Sequence, residues 1–147
     1  MSSEFQARSN KIGHGYEDHI ELLLAERGIY ITAKRVRHAC HVEWDFEAVD
    51  PQGRAVLIEC KASDGSGKQD AARTDNLRKF LGDLHLLERW LKKHPETPRP
   101  RIALVMTSLP RQPSAKTKIP WRTILDEMVF DDEIIVIEIP YPTEAAA

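Results

Sequence analysis

Glu59 and Lys61 stand two residues apart at the end of the apolar run Ala55-Val56-Leu57-Ile58. If that run is a strand, its period of two turns both side chains to one face and those of Ile58 and Cys60 to the other. A carboxylate and an ammonium then end a buried strand together. Asp45 lies fourteen residues before Glu59, in a second strand-like segment from Val42 to Val49. Between the two segments, Asp50-Pro51-Gln52-Gly53 has the proline and glycine of a tight reversal. The resulting hairpin brings Asp45 and Glu59 toward one point. Burying carboxylates is costly unless they are paired or bind a cation, and two of them beside a backbone carbonyl suit a hard ion with oxygen ligands. The expected ion is Mg²⁺, with Mn²⁺ able to substitute. Lys61 beside it would orient a water and stabilise its hydroxide form, while the metal neutralises charge developing on a phosphoryl oxygen. That is the equipment of phosphodiester hydrolysis. The E-x-K tripeptide alone is weak, because surface strands produce it by chance as a solvated ion pair contributing at most ~1 kcal/mol.

The flanking elements decide whether those three residues can meet. Gly15 to Arg27 places Ile20, Leu23 and Leu24 at helical spacing and stops at Gly28, which predicts a first helix. Ile29 to Val36 is rich in β-branched and aromatic residues and predicts a strand ahead of the hairpin. After the hairpin, Leu77, Phe80, Leu81, Leu84, Leu87 and Leu91 recur at intervals of three and four, the stripe of a long amphipathic helix that cannot pass Pro95. Arg101 to Thr107 reads as a short buried strand, Trp121 to Met128 as a third helix, and Glu133 to Ile139 as a last strand. The order is α-β-β-β-α-β-α-β. A helix joining two strands favours a right-handed crossover, so Arg54 to Lys61 and Arg101 to Thr107 are expected as parallel neighbours in a mixed sheet flanked by helices.

Asp45 with Glu59-Cys60-Lys61 resembles the PD-(D/E)xK phosphodiesterase superfamily, the restriction-endonuclease-like nucleases. The resemblance covers Gly15 to Thr107, which can reproduce the family's αβββαβ core in an α/β fold, with the C-terminal helix and strand as additions. It implies Asp45 as first acid, Glu59 as second and Lys61 as motif lysine, with the Cys60 carbonyl as a further metal ligand. The residue before Asp45 is Trp44, where the family name has proline. Gly13-His14-Gly15-Tyr16-Glu17 is similar to the helix-borne glutamate of the Holliday-junction-resolvase-like branch, which implies Glu17, rather than Glu21, as another metal-holding acid. The resemblance also implies a homodimer, and a polar residue such as Lys68 or Gln69 at the start of the second helix.

Charge along the chain is uneven. From Lys68 to Arg122 there are thirteen Lys or Arg against five Asp or Glu, whereas Thr123 to Ala147 holds seven acids and no base. The basic segment suits a polyanion, although charge alone more often makes a solvated surface. Within it, Arg73 and Arg78 are candidates to face phosphates from the second helix, and Arg111, Lys116 and Lys118 to form a DNA-contacting loop; the alternatives are solvent-facing positions and a basic linker. Gly65 and Gly67 before Lys68 fail the phosphate-loop pattern, since Ala62 and Gln69 occupy two of its required positions. His38, Cys40 and His41 lack a second ligand pair at finger-like spacing, so a structural role for Cys40 and turn or surface roles for the histidines are expected. Cys60 is expected to pack rather than to attack.

At 147 residues, with 41% hydrophobic and 30% charged side chains, the composition is that of one globular domain rather than a disordered chain. No apolar run approaches the ~20 residues of a membrane span, no secretory signal is evident, and two cysteines are too few for a disulfide scaffold, so a cytoplasmic location is expected. The sequence therefore points to a Mg²⁺-dependent DNA nuclease, expected to be an endonuclease, on double-stranded or branched DNA. A nucleic-acid-binding module that keeps the fold without turnover, and a partner-activated or RNA-directed nuclease, are the alternatives.

Overall fold

A computed structural model describes residues 16–61, 69–108 and 119–140, without the side chains of 69–74. Its elements are α1 (residues 16–26), β1 (Tyr30–Arg37), β2 (Glu43–Val49), β3 (Ala55–Lys61), α2 (Gln69–Lys93), β4 (Arg101–Met106), α3 (Trp121–Met128) and β5 (Ile134–Glu138). They follow the order expected from the sequence. The strands form one five-stranded sheet in chain order, antiparallel from β1 to β3 and parallel from β3 to β5. This mixed α/β sheet with flanking helices is compatible with a restriction-endonuclease-like core.

Local chemistry ends each element where the site needs it to end. Gly28 takes φ +80°, its N–H closes on the Ala25 carbonyl at 3.0 Å, and the Ile29 N–H closes on the Leu24 carbonyl at 3.0 Å. That double closure stops α1 and requires a residue tolerant of left-handed backbone. A Cβ at Gly28 would also meet Pro51 Cγ at 3.0 Å, so the end of α1 is seated against the β2–β3 turn. In that turn Asp50 Oδ1 accepts the N–H groups of Gln52 and Arg54, each at 2.9 Å, and Gly53 takes φ +81°. The register that follows pairs Val49 with Ala55 and Phe46 with Ile58.

Alternation along the central strands builds a core on each side of the sheet. Leu57, Ile102, Leu104 and Met106 pack with Leu77, Phe80, Leu84 and Leu87 of α2 and with Trp121 and Leu125 of α3. Val56, Ile58, Ala103 and Val105 pack with Tyr16, Ile20 and Leu24 of α1. Helix α1 thus covers one face and α2 with α3 the other. At the N-terminal ends of the parallel strands, Arg54 hydrogen-bonds the Arg99 carbonyl and pairs with Glu133, while Arg99 pairs with Glu88. The carboxyl ends, where open α/β sheets place their ligands, carry Glu59 and Lys61.

Candidate active site

The site forms where β2 and β3 stop pairing. The ladder between them ends at Phe46 and Ile58, and beyond it a side chain takes over: Asp45 Oδ2 accepts the Cys60 N–H at 2.7 Å. A carboxylate accepting a backbone N–H at that length is a strong bond, and it holds Asp45 beside Glu59. The alternation of β2 breaks at the same place. Trp44 joins the core on the α2 side and Phe46 the core on the α1 side, although they are two residues apart.

Glu59 and Lys61 share a face, as their spacing predicts. Cys60 packs on the opposite side, against the α1 core. Lys61 Nζ lies 3.8 Å from Glu59 Oε1, with side-chain exposures of 15% and 7%. This is not the solvated pair that a chance tripeptide would make. Burial pushes the Glu59 carboxyl up, to about 9, helped by a hydrogen bond to Asp45 and by the charges of Asp45 and Asp83, with Lys61 opposing. Protonated Glu59 therefore bonds to half-buried Asp45 in place of a buried charge of its own.

That shift gives a pH dependence with a definite sign. Below the ordinary carboxylate range Glu59 is protonated whether the chain is folded or not; between that range and about 9 only the folded state keeps the proton. Stability contributed by Glu59 is thus full at acid pH and falls as pH rises, by at most ~1.4 kcal/mol per pH unit. Urea midpoints measured in EDTA should fall from pH 5 to pH 9, and Glu59→Gln should flatten that slope. An unchanged slope in the variant would assign the effect to other groups.

The donor set fits a hard cation. Two oxygen-bearing side chains converge, one fixed by a backbone N–H, and their repulsion is what a divalent charge relieves. Cys60 places its backbone between them in sequence. Its thiol is pushed well up by burial and then by the charges of Asp45, Glu59 and Glu17, as befits packing rather than nucleophilic attack. Among the described residues, no group of three or more His, Cys, Asp or Glu side chains is gathered tightly enough to hold an ion. Glu17 instead pairs with Arg35 at 3.6 Å, and Glu21 with Lys34 at 3.1 Å.

Other expected residues fall in several places. Arg78 is exposed on α2; Gln69 and Arg73 lie in the first turns of that helix, their side chains outside the described set. Lys68, Arg111, Lys116 and Lys118 lie outside the described residues. Cys40 is buried, His38 Nδ1 accepts its N–H at 3.0 Å, and His41 takes a turn conformation with φ +72°, in line with structural and turn roles. Two residues were not singled out from sequence. Arg35 takes φ +53° and falls opposite Asp45, between the pairs Lys34 with Phe46 and Val36 with Trp44. Nothing in the residue type announces that backbone. Asp83 acts electrostatically on Glu59 from α2. Its signal was an acid beside the stripe residues Phe80 and Leu84.

Among solved structures, the chain is similar to a repair endonuclease from Pyrococcus abyssi, at 17% sequence identity and a TM-score of 0.44. The similarity covers 97% of this chain and 49% of that one, so the chain spans about half the length of its structural neighbour. No family model and no curated protein matches the sequence. At that identity and score the likeness carries nothing about chemistry.

Proposed function

We propose that the chain is a Mg²⁺-dependent phosphodiesterase that cuts DNA internally. The observation that carries this reading is the carboxyl pair of half-buried Asp45 and buried Glu59 at the splay of β2 and β3, with the Lys61 ammonium 3.8 Å from Glu59. Asp45 and Glu59 would hold the cation, with the Cys60 carbonyl completing the sheet's contribution and Glu17 joining when released from Arg35. When bound, the cation supplies charge neutralisation at the phosphoryl oxygen and acidifies a coordinated water. The Cys60 N–H keeps Asp45 oriented. Lys61 donates to the attacking water and stabilises its hydroxide form. Arg78 on α2, together with Lys68, Gln69, Arg73, Arg111, Lys116 and Lys118, would supply backbone contacts to DNA, which position the duplex without reading its sequence. A homodimer would let the two strands be cut by two copies of the site.

The test is a panel of plasmid, linear, single-stranded and branched DNA incubated with protein and Mg²⁺, with and without EDTA. Cleavage that EDTA stops supports the proposal. A second reading has its own observation: Glu17 is engaged by Arg35, and among the described residues no three His, Cys, Asp or Glu side chains gather to hold an ion. On that reading the chain binds nucleic acid without cutting. Shifted mobility of every DNA with none cut would favour it, and cleavage only of RNA, or only after a partner is added, would favour a partner-activated or RNA-directed nuclease.

A further inference from the structure

We propose that Arg35 of β1 is a phosphate-contacting residue whose guanidinium is occupied by Glu17 until nucleic acid displaces it; this rests on the nucleic-acid reading above. Lys34 and Arg35 are successive on a strand, and ordinary alternation would send them to opposite faces. Both reach α1 instead. Lys34 Nζ lies 3.1 Å from Glu21 and Arg35 Nη2 lies 3.6 Å from Glu17, and those two acids are one helical turn apart on the same side of α1. The left-handed backbone of Arg35, at φ +53°, accounts for the redirection, and it is a conformation that a long side chain rarely adopts. Arg35 takes it opposite Asp45, between Trp44 and Phe46, where the alternation of β2 also breaks.

The redirected guanidinium stands at the pole of the sheet that holds the candidate site. Tyr16, next to Glu17, donates its hydroxyl to the Ile139 carbonyl at 2.7 Å. The Ile139 N–H in turn bonds the Met106 carbonyl at 2.8 Å, and Met106 is the register partner of Lys61. The first turn of α1, and with it the Arg35–Glu17 pair, is therefore level with the end of β3. The pair is suited to exchange. Its side chains keep 53% and 21% of their exposure, and an ion pair that open to water contributes little. A guanidinium fork matches the oxygens of a phosphate better than a single carboxylate oxygen at 3.6 Å. A phosphodiester arriving at this pole thus takes the place of Glu17 on Arg35.

Fluorescence anisotropy of a short labelled DNA duplex, read in EDTA over a series of salt concentrations, tests this without metal or cleavage. Arg35→Asn keeps a residue tolerant of left-handed backbone and removes the charge. It should weaken binding about tenfold at low salt and lower the slope of log affinity against log salt by about 1, the signature of one lost phosphate contact. Arg35→Lys should keep the slope, and Lys92→Asn, in the exposed last turn of α2, should change neither quantity. Glu17→Gln should tighten binding several-fold in the parent and not at all in the Arg35→Asn background. Equal tightening in both backgrounds overturns the proposal, because relief of general repulsion needs no Arg35. Where circular dichroism shows Arg35→Asn unfolded, Arg35→Gly takes its place. Unchanged affinity and slope in the folded variant overturns the role of Arg35 while DNA binding by the parent stands; a parent that binds no DNA at any salt concentration overturns both.

Discussion

Lys61→Ala should lower the rate of DNA cleavage by about 10²–10⁴-fold, the usual worth of a group that orients and activates the attacking water. Folding and DNA binding should persist, for a reason particular to this site. Lys61 is the charge that opposes protonation of Glu59. Removing it lets Glu59 hold its proton more firmly, so the variant buries a neutral acid bonded to Asp45 instead of an orphaned charge. Thermal midpoints near neutral pH should therefore stay close to those of the parent, and gel-shift affinity with them. A variant that still cuts at the parental rate would remove Lys61 from the mechanism. One that fails to fold would mean that the Lys61 stem, not its charge, is what the α2 side of the core requires.

Asp45→Asn separates charge from shape. The amide oxygen can still accept the Cys60 N–H, so the splay of β2 and β3 should survive, whereas one of the two charges proposed to hold the cation is lost. Partners that merely orient a metal ligand are worth about 10–100-fold in affinity, so loss of a ligand charge should weaken Mg²⁺ binding by at least that much in calorimetry. Glu59 should lose the neighbour that raises it, and the fall of stability with pH should shrink in parallel. Asp45→Ala should add a separate penalty of about 1–3 kcal/mol, because it leaves the Cys60 N–H without its acceptor. Equal Mg²⁺ affinity in parent and Asn variant would make the acid pair structural.

The elements were legible in the chain because each carries its own periodic signal. The Leu77-to-Leu91 stripe makes α2, the turn chemistry of Asp50 to Gly53 sets the hairpin, and the buried runs before Lys61 and Thr107 make the parallel pair of β3 and β4. The shared face of Glu59 and Lys61 was equally local, since a two-residue spacing on a strand admits no other arrangement. For Asp45 the spacing indicated a meeting with Glu59 but not its means.

The register ends at Phe46 and Ile58, and whether a strand continues or splays depends on what packs on its two faces. Here Trp44 and Phe46 are drawn into opposite cores. The depth at which Glu59 sits, the left-handed backbone of Arg35 that places it against Glu17, and the reach of Asp83 from α2 arise the same way. Each depends on groups far apart in the chain. Sequence by itself determined which residues share an element and a face; only packing of α1 and α2 against the sheet decided which charges lie near one another and how little water screens them.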